Sequence, residues 1–392
     1  MSPRYPPLRT SPFDPPPMLA EFRRHSPIVR VTLWDGRTAW LVTRFADARA
    51  VLRDRRFSAD ASDPNFPSLN PSQVVPNDRG GPARMAEPRH AEIRAMVADQ
   101  FTTRAVETWR PLVNQIAEDQ VSQLLAGGPP ADLMTAYAVP VPLRMICWIL
   151  GVPAADMPFV QRQSLLAISR AAESGRPALG AIREYVHRLV RDKEHRPGDD
   201  LISQLVRQQV RPGRLSHDEL VDLALVLLVA GHATTASTIG LGALSLLEEP
   251  ERFRQIRDDP TLLGTMADEF LRFHTVTADG APRVATADVV VGGTLIRAGD
   301  AVVVSLASAN RDESTFECPD TFDLRRDARQ HLGFGYGGHR CLGQHLARLE
   351  IRVAFATLAC RVPTLRLATP AAAVWVRHET FQHGIHELPV SW

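Results

Sequence analysis

The segment from Phe334 to Gly343 reads Phe-Gly-Tyr-Gly-Gly-His-Arg-Cys-Leu-Gly, three glycines ahead of a single cysteine. A run this glycine-rich is too flexible for a strand. Beyond it, Leu342, Leu346, Leu349 and Val353 recur at offsets of four, three and four, which is one apolar face of a helix. Cys341 therefore lies where a loop feeds a helix N-terminus. The partial positive charge there favours the thiolate, the form of cysteine that ligates metals. Glycines without Cβ let backbone N–H groups approach the sulfur, and His339 and Arg340 add cationic or donor groups beside it. A lone cysteine after a turn reads as a buried structural residue; the surrounding pattern points instead to a metal-binding sulfur.

The pattern resembles the haem-binding loop of the cytochrome P450 family, F-G-x-G-x-x-x-C-x-G, which Phe334, Gly335, Gly337, Cys341 and Gly343 match position for position. The resemblance implies a mainly α fold with small β-sheets, with haem b held between a long central helix and the helix that follows the cysteine loop. It makes Cys341 the metal ligand, the axial thiolate of the haem iron, with Phe334 packed near the sulfur. Such a thiolate pushes electron density onto iron and favours O–O cleavage. The implied activity is a monooxygenase that activates dioxygen to oxidise a small organic substrate of secondary metabolism, by hydroxylation or by oxidative coupling.

Length and charge are compatible with that reading. No Pro/Gly/Ser linker divides the 392 residues, so we expect one domain over 1–392, with a proline-rich extension at about 1–17. A net charge of +1 argues against a nucleic-acid partner. Four cysteines, at 147, 318, 341 and 360, show neither disulfide nor zinc spacing, which suits a reducing cytoplasm. The first seventeen residues hold no signal-peptide core and no membrane anchor. Leu220 to Leu247 is long enough to span a bilayer, but Asp222, His232 and several hydroxyl residues mark it as a buried helix and not a membrane segment.

Along the chain, Val29 to Val42 alternates around Asp35-Gly36 as a hairpin. Asp54 to Ser58 resembles the family's second helix. Residues 60–84 form a proline-rich loop that, by resemblance, roofs the substrate site. His90 and Arg94 share a helix face. The family's H-x-x-x-R signature there implies that both hold a haem propionate through charge-assisted hydrogen bonds. Residues 105–210 read as helices broken at Gly127–Pro130, Gly151–Pro153, Ser174–Pro177 and Arg196–Gly198, those around Ser174–Pro177 resembling mobile lid helices.

The central helix opens with a capping box, Ser216 and Glu219, and a hydrophobic staple, Leu215 with Leu220. Val226, Ala230, Ala233, Thr234 and Ser237 fall on one face. The family context makes Ala230 a haem contact, Val226, Ala230 and Ser237 substrate contacts, and Gly231, Ala233 and Thr234 the oxygen-activating segment. In the family the position before the threonine usually carries Asp or Glu, where this chain has Ala233. Without that acid, protons must come through water held by Thr234 or Thr235, through His232, or through the substrate. His232 itself is expected to point away from the iron.

Asp259-Pro260 reads as the start of another helix, on which Glu269 and Arg272 lie three apart. The family's E-x-x-R motif implies a buried pair joined by Arg326 in a structural triad. Ala278 to Val304 reads as sheet, Arg283 matching a propionate-binding arginine and Val276 and Thr277 bordering the substrate. Gly384 to Val390 resembles the family's terminal hairpin. With no flavin or iron–sulfur motif, electrons are expected from a separate ferredoxin and its reductase, docking on a basic surface made by those of Arg325, Arg326, Arg329 and Arg340 that are not used internally. Two other readings compete. One is direct nitric oxide reduction with NADH, which shares the alanine but wants a basic entrance; the other is a non-catalytic haem or recruitment domain.

Overall fold

The structure, a computed structural model, describes residues 2–73 and 81–392. Its strands are β1 (Ile28–Thr32), β2 (Thr38–Val42), β3 (Phe57–Ser58), β4 (Ala131–Asp132), β5 (Ala281–Ala285), β6 (Val289–Val291), β7 (Thr294–Ile296), β8 (Ala301–Val304), β9 (Arg366–Leu367) and β10 (Pro389–Ser391). The expected hairpin forms, Val29 opposite Leu41, with Gly36 at a φ of 84° in its turn. It continues into a sheet of order β1-β2-β8-β5-β3, while β4-β10-β9 and β6-β7 are small separate sheets. Helices make up the rest of the regular structure.

The central helix runs from His217 to Glu248 and is set by its cap. The Ser216 hydroxyl accepts from the Glu219 N–H at 3.2 Å, and the Glu219 carboxylate accepts from the Ser216 N–H at 2.8 Å. Every residue from 235 to 247 is buried, so the apolar length of this helix is accounted for inside the protein. Fully buried leucines such as Leu228, Leu241 and Leu244 each contribute roughly 1.5–3 kcal/mol of burial free energy. The helix Gln344–Arg361 follows the cysteine loop and buries Leu346, Leu349 and Val353, the face read from the sequence.

Several local expectations are corrected. Asp54 to Ser58 is not helical. The helix Phe45–Arg53 stops at Asp54, whose carboxylate accepts from the Arg56 N–H at 2.9 Å. Phe57 and Ser58 then pair with Ala285 and Val284 at the edge of β5. Ser174–Pro177 is not a break either. Helix Ala172–His195 runs through it, Pro177 lying near its start, and the interruption falls between Ala167 and Ala172. The helix bearing Glu269 begins at Leu262, because Asp259 spends its carbonyl and carboxylate on the N–H groups of Leu262 and Thr261. At the C-terminus β10 pairs with β4 and β9 instead of closing a local hairpin, leaving one bridge between Val376 and Ile385. In the 60–84 loop, short turns occupy Pro71–Gln73 and Pro82–Arg84, and Ala61 N–H donates to the Arg84 carbonyl. Pro76, Asp78 and Arg79 of that loop lie outside the described residues.

Candidate active site

Loop geometry around Cys341 follows from its glycines. Gly335 and Gly337 adopt φ of 68° and 74°, and a Cβ on Gly337 would lie 2.4 Å from the Leu52 carbonyl oxygen. Cys341 N–H donates to the Phe334 carbonyl at 2.8 Å, folding the loop back on itself. The Arg348 guanidinium covers the Phe334 ring at 4.7 Å and bonds Asp268 at 2.7 Å, and Asp268 also meets His331 at 3.3 Å.

Cys341 retains solvent-accessible surface although protein crowds it from several sides, as a residue lining an internal cleft does. Burial raises its thiol pKa, opposed by the Gly343 N–H and by the charges of Arg94, Arg348 and Arg340. The favourable charges expected from the sequence are thus present, but desolvation outweighs them until a cation arrives to hold the thiolate.

Near this sulfur lies a set of buried and half-buried basic side chains, in which Glu87 is the acid that meets His90. His90 is buried, meets Glu87 at 2.8 Å through Nδ1, and stacks on His339 with ring centroids 3.9 Å apart. Burial, then the charges of His90 and Arg283, push His339 down to about 3. His339 Nδ1 and Arg340 Nε are buried with no hydrogen-bond partner among the described residues. Arg283, on β5, is 7% exposed, makes no ion pair among the described residues and is pushed down to about 10 by burial. Burial likewise lowers Arg94, which the Cys341 charge would oppose. Gly343 has open space where a Cβ would stand and an ordinary φ of −80°, so nothing in the protein itself demands glycine there. Orphan donors, a buried Arg283 with no ion pair among the described residues, and an open place above the helix start fit a flat dianionic haem.

On the central helix, Ala230 is exposed and Val226, Gly231, Ala233 and Thr234 are partly so, an open stretch ahead of the fully buried run 235–247. Val226 packs against Gly81, where a Cβ would approach to 3.0 Å, so the described end of the 60–84 loop does reach this stretch. The Thr234 hydroxyl donates to the Ala230 carbonyl at 3.0 Å. One residue of the predicted set, Ser237, leaves it, and Gly231 has a packing partner of its own. Ser237 is fully buried and its hydroxyl accepts from Arg377 at 2.6 Å. Gly231 lies against Ile146, 2.9 Å from a would-be Cβ, so its small size serves helix packing. His232 points away, as expected: its Nδ1 meets the Leu228 carbonyl at 2.7 Å, and burial pushes it down to about 4. It is removed from the possible proton routes. Val276 is buried and its carbonyl accepts from His383, while Thr277 is exposed.

Glu269 and Arg272 form a fully buried two-point ion pair at 2.7 and 2.8 Å, and Arg326 joins Glu269 at 3.3 Å. Arg272 also donates to the carbonyls of Asn310, Pro319 and Thr321. Arg326 is thereby spent internally, Arg329 pairs with Asp327 and Arg325 lies 3.8 Å from Asp259, which thins the basic docking surface expected from the sequence. One residue of the site escaped the sequence reading. Glu350, on the cysteine-loop helix, is 1% exposed, and burial raises its pKa well above the usual range. Thr235 approaches closely enough to favour the charged form slightly, yet neither carboxylate oxygen completes a hydrogen bond among the described residues. Its neighbour Leu349 carried the apolar periodicity, and a charged residue beside such a face reads as solvated.

Residues 179–361 match the family model Cytochrome P450. Cytochrome P450-SU2 of Streptomyces griseolus is 42% identical over 97% of this chain and 94% of its own length. The mycinamicin VIII C21 methyl hydroxylase of Micromonospora griseorubida is 41% identical over 98% of each chain. The crystal structure of that hydroxylase bound to mycinamicin VIII superposes with a TM-score of 0.96, covering 100% of both chains at 40% identity. The chain belongs to the cytochrome P450 family. It is a haem b-dependent monooxygenase that oxidises a small organic substrate of secondary metabolism with electrons from a ferredoxin and its reductase, and it is a soluble protein. The nitric oxide reductase and non-catalytic readings are not favoured.

Proposed function

We propose that this enzyme is a cytoplasmic tailoring hydroxylase acting on a macrolide-like secondary metabolite. The substrate class draws on relatives about two-fifths identical, namely the mycinamicin hydroxylase and the 20-oxo-5-O-mycaminosyltylactone 23-monooxygenase of Streptomyces fradiae. Small side chains at Ala230 and Ala233 leave room beside the central helix for a bulky ring.

The observation that carries the site assignment is the buried Arg283, without an ion pair among the described residues, together with an accessible Cys341. Cys341 is assigned to the iron. His90, Arg94, Arg283 and His339 would hold the propionates, and Phe334, Gly335, Gly343 and Ala230 would border the porphyrin. When bound, haem with thiolate ligation supplies dioxygen activation. The chain's own residues then manage protons and substrate. Thr234 gives its hydroxyl proton to the Ala230 carbonyl, leaving its oxygen free to accept from a water. Ala233 has no proton to give, whereas burial raises the pKa of the Glu350 carboxyl, which lies beside Thr235. Glu350 is therefore the proton store behind the two threonines. Val226, Ala230, Val276 and Thr277 face or border the substrate, and Glu269, Arg272 and Arg326 hold the scaffold.

Titration of the ferric enzyme with macrolactones of graded size tests the substrate assignment. A saturable low-to-high-spin shift with a macrolactone, and none with flat polyaromatics, is expected; the reverse ranking overturns it.

A further inference from the structure

A second constellation lies away from the cleft, where helix Ala172–His195 crosses the first turn of the central helix. His187, His217 and Asp218 bring one ligand atom each to within 4.8 Å of one another. The rings of His187 and His217 meet edge to face at 4.6 Å. Glu194 holds Nδ1 of His217 at 2.9 Å, and Nε2 of the same ring is buried with no partner among the described residues. A carboxylate on one imidazole nitrogen fixes the tautomer that leaves the other nitrogen's lone pair free, which is how metal-ligating histidines are oriented.

We propose that His187, His217 and Asp218 bind a zinc ion that ties the helix Ala172–His195 to the start of the central helix. Two imidazoles and one carboxylate suit zinc, with water in the remaining position. Donors on a tetrahedral zinc stand roughly 3.3 Å apart, given bonds of about 2.0–2.1 Å, so no pair of ligand atoms has to close in by more than about 1.5 Å. Asp218 is exposed and can supply part of that movement. The backbone on both sides is already fixed. Ser216 and Glu219 cap the turn that carries His217, and Arg183 pairs with Asp222 one helical turn along the same two helices. Asp218 and Glu194 add two negative charges beside the histidines, which a dication neutralises. The consequence is mechanical. Helix Ala172–His195 packs along the 60–73 segment through Gly175 and Ser72, so zinc would restrain an element that borders the substrate entrance.

The test uses tag-free, haem-loaded enzyme dialysed against micromolar zinc chloride, with bound metal counted by mass spectrometry. Wild type should retain one zinc ion more than His187→Ala and His217→Gln, each of which should keep its haem spectrum. Zinc should also slow amide exchange over residues 183–194 and 216–222 in wild type and leave it unchanged in His187→Ala. Equal zinc in wild type and variants, or exchange rates indifferent to zinc, overturns the proposal.

Discussion

The imidazole of His90 stacks on that of His339, centroids 3.9 Å apart and planes 19° from parallel, so residues 249 positions apart in sequence present one paired surface to the cleft. His339 is kept neutral by burial and by its cationic neighbours, and its Nδ1 has no hydrogen-bond partner among the described residues. A hydrogen bond to a charged group contributes about 1.5–3 kcal/mol. Replacing either histidine by alanine should therefore weaken haem retention by about ten- to hundredfold, read as the rate of haem transfer to apomyoglobin. Transfer at the wild-type rate from His339→Ala would remove that residue from the propionate set.

Glu269 and Arg272 have no solvent exposure, and Arg272 carries three backbone carbonyls from the segment before the cysteine loop. Removing one partner leaves a buried charge uncompensated, at a cost of about 3–5 kcal/mol. Glu269→Ala should lower the urea midpoint of the holoenzyme accordingly and reduce haem incorporation during expression. A loss within the scatter expected of an exposed pair, under about 1 kcal/mol, would contradict the burial argument.

Much of this was legible before any coordinates because the signals are local. The cysteine loop, the Ser216 capping box and the Asp35-Gly36 hairpin each specify backbone shape within a few residues. What escaped depends on distant partners. Phe57 and Ser58 became a strand only because β5 offers an edge. Ser237 shares its helical face with Thr234 but is taken by Arg377 from 140 positions away. Periodicity places a side chain on a face; it does not say which neighbour has already claimed it.

Arg89 binds Glu219 through two contacts at 2.8 Å, joining the helix of His90 to the cap of the central helix. The Arg89 guanidinium, ahead of the Ser216 contacts, pulls Glu219 down to about 2. A carboxylate whose folded pKa lies below its unfolded value, about 4.3, stabilises the fold above that pH. The stabilisation is lost as pH falls toward about 2. Both side chains are partly exposed, so screening limits the gain to roughly 1 kcal/mol. Glu219→Gln should lower stability at pH 7 and converge with wild type in acid. Parallel denaturation curves across pH would show that the pair contributes nothing.

Proton supply is the point on which this chain departs from its family. Ala233 cannot relay, and His232 is turned toward Leu228 and is neutral. Among the described residues, a buried acid close to the threonines is Glu350, whose pKa desolvation raises beside Thr235. Glutamine preserves its shape and removes the acidic proton. Glu350→Gln should bind haem and substrate as wild type does, yet divert reducing equivalents to hydrogen peroxide, lowering product per NADPH by about tenfold or more. Adding Ala233→Glu to that variant should restore coupling by an independent donor. Infrared difference spectra should show a protonated carboxyl band near neutral pH in wild type that is absent from Glu350→Gln. If coupling is unchanged in Glu350→Gln, or the band persists there, protons reach the threonines by water alone and Glu350 is a buried structural acid.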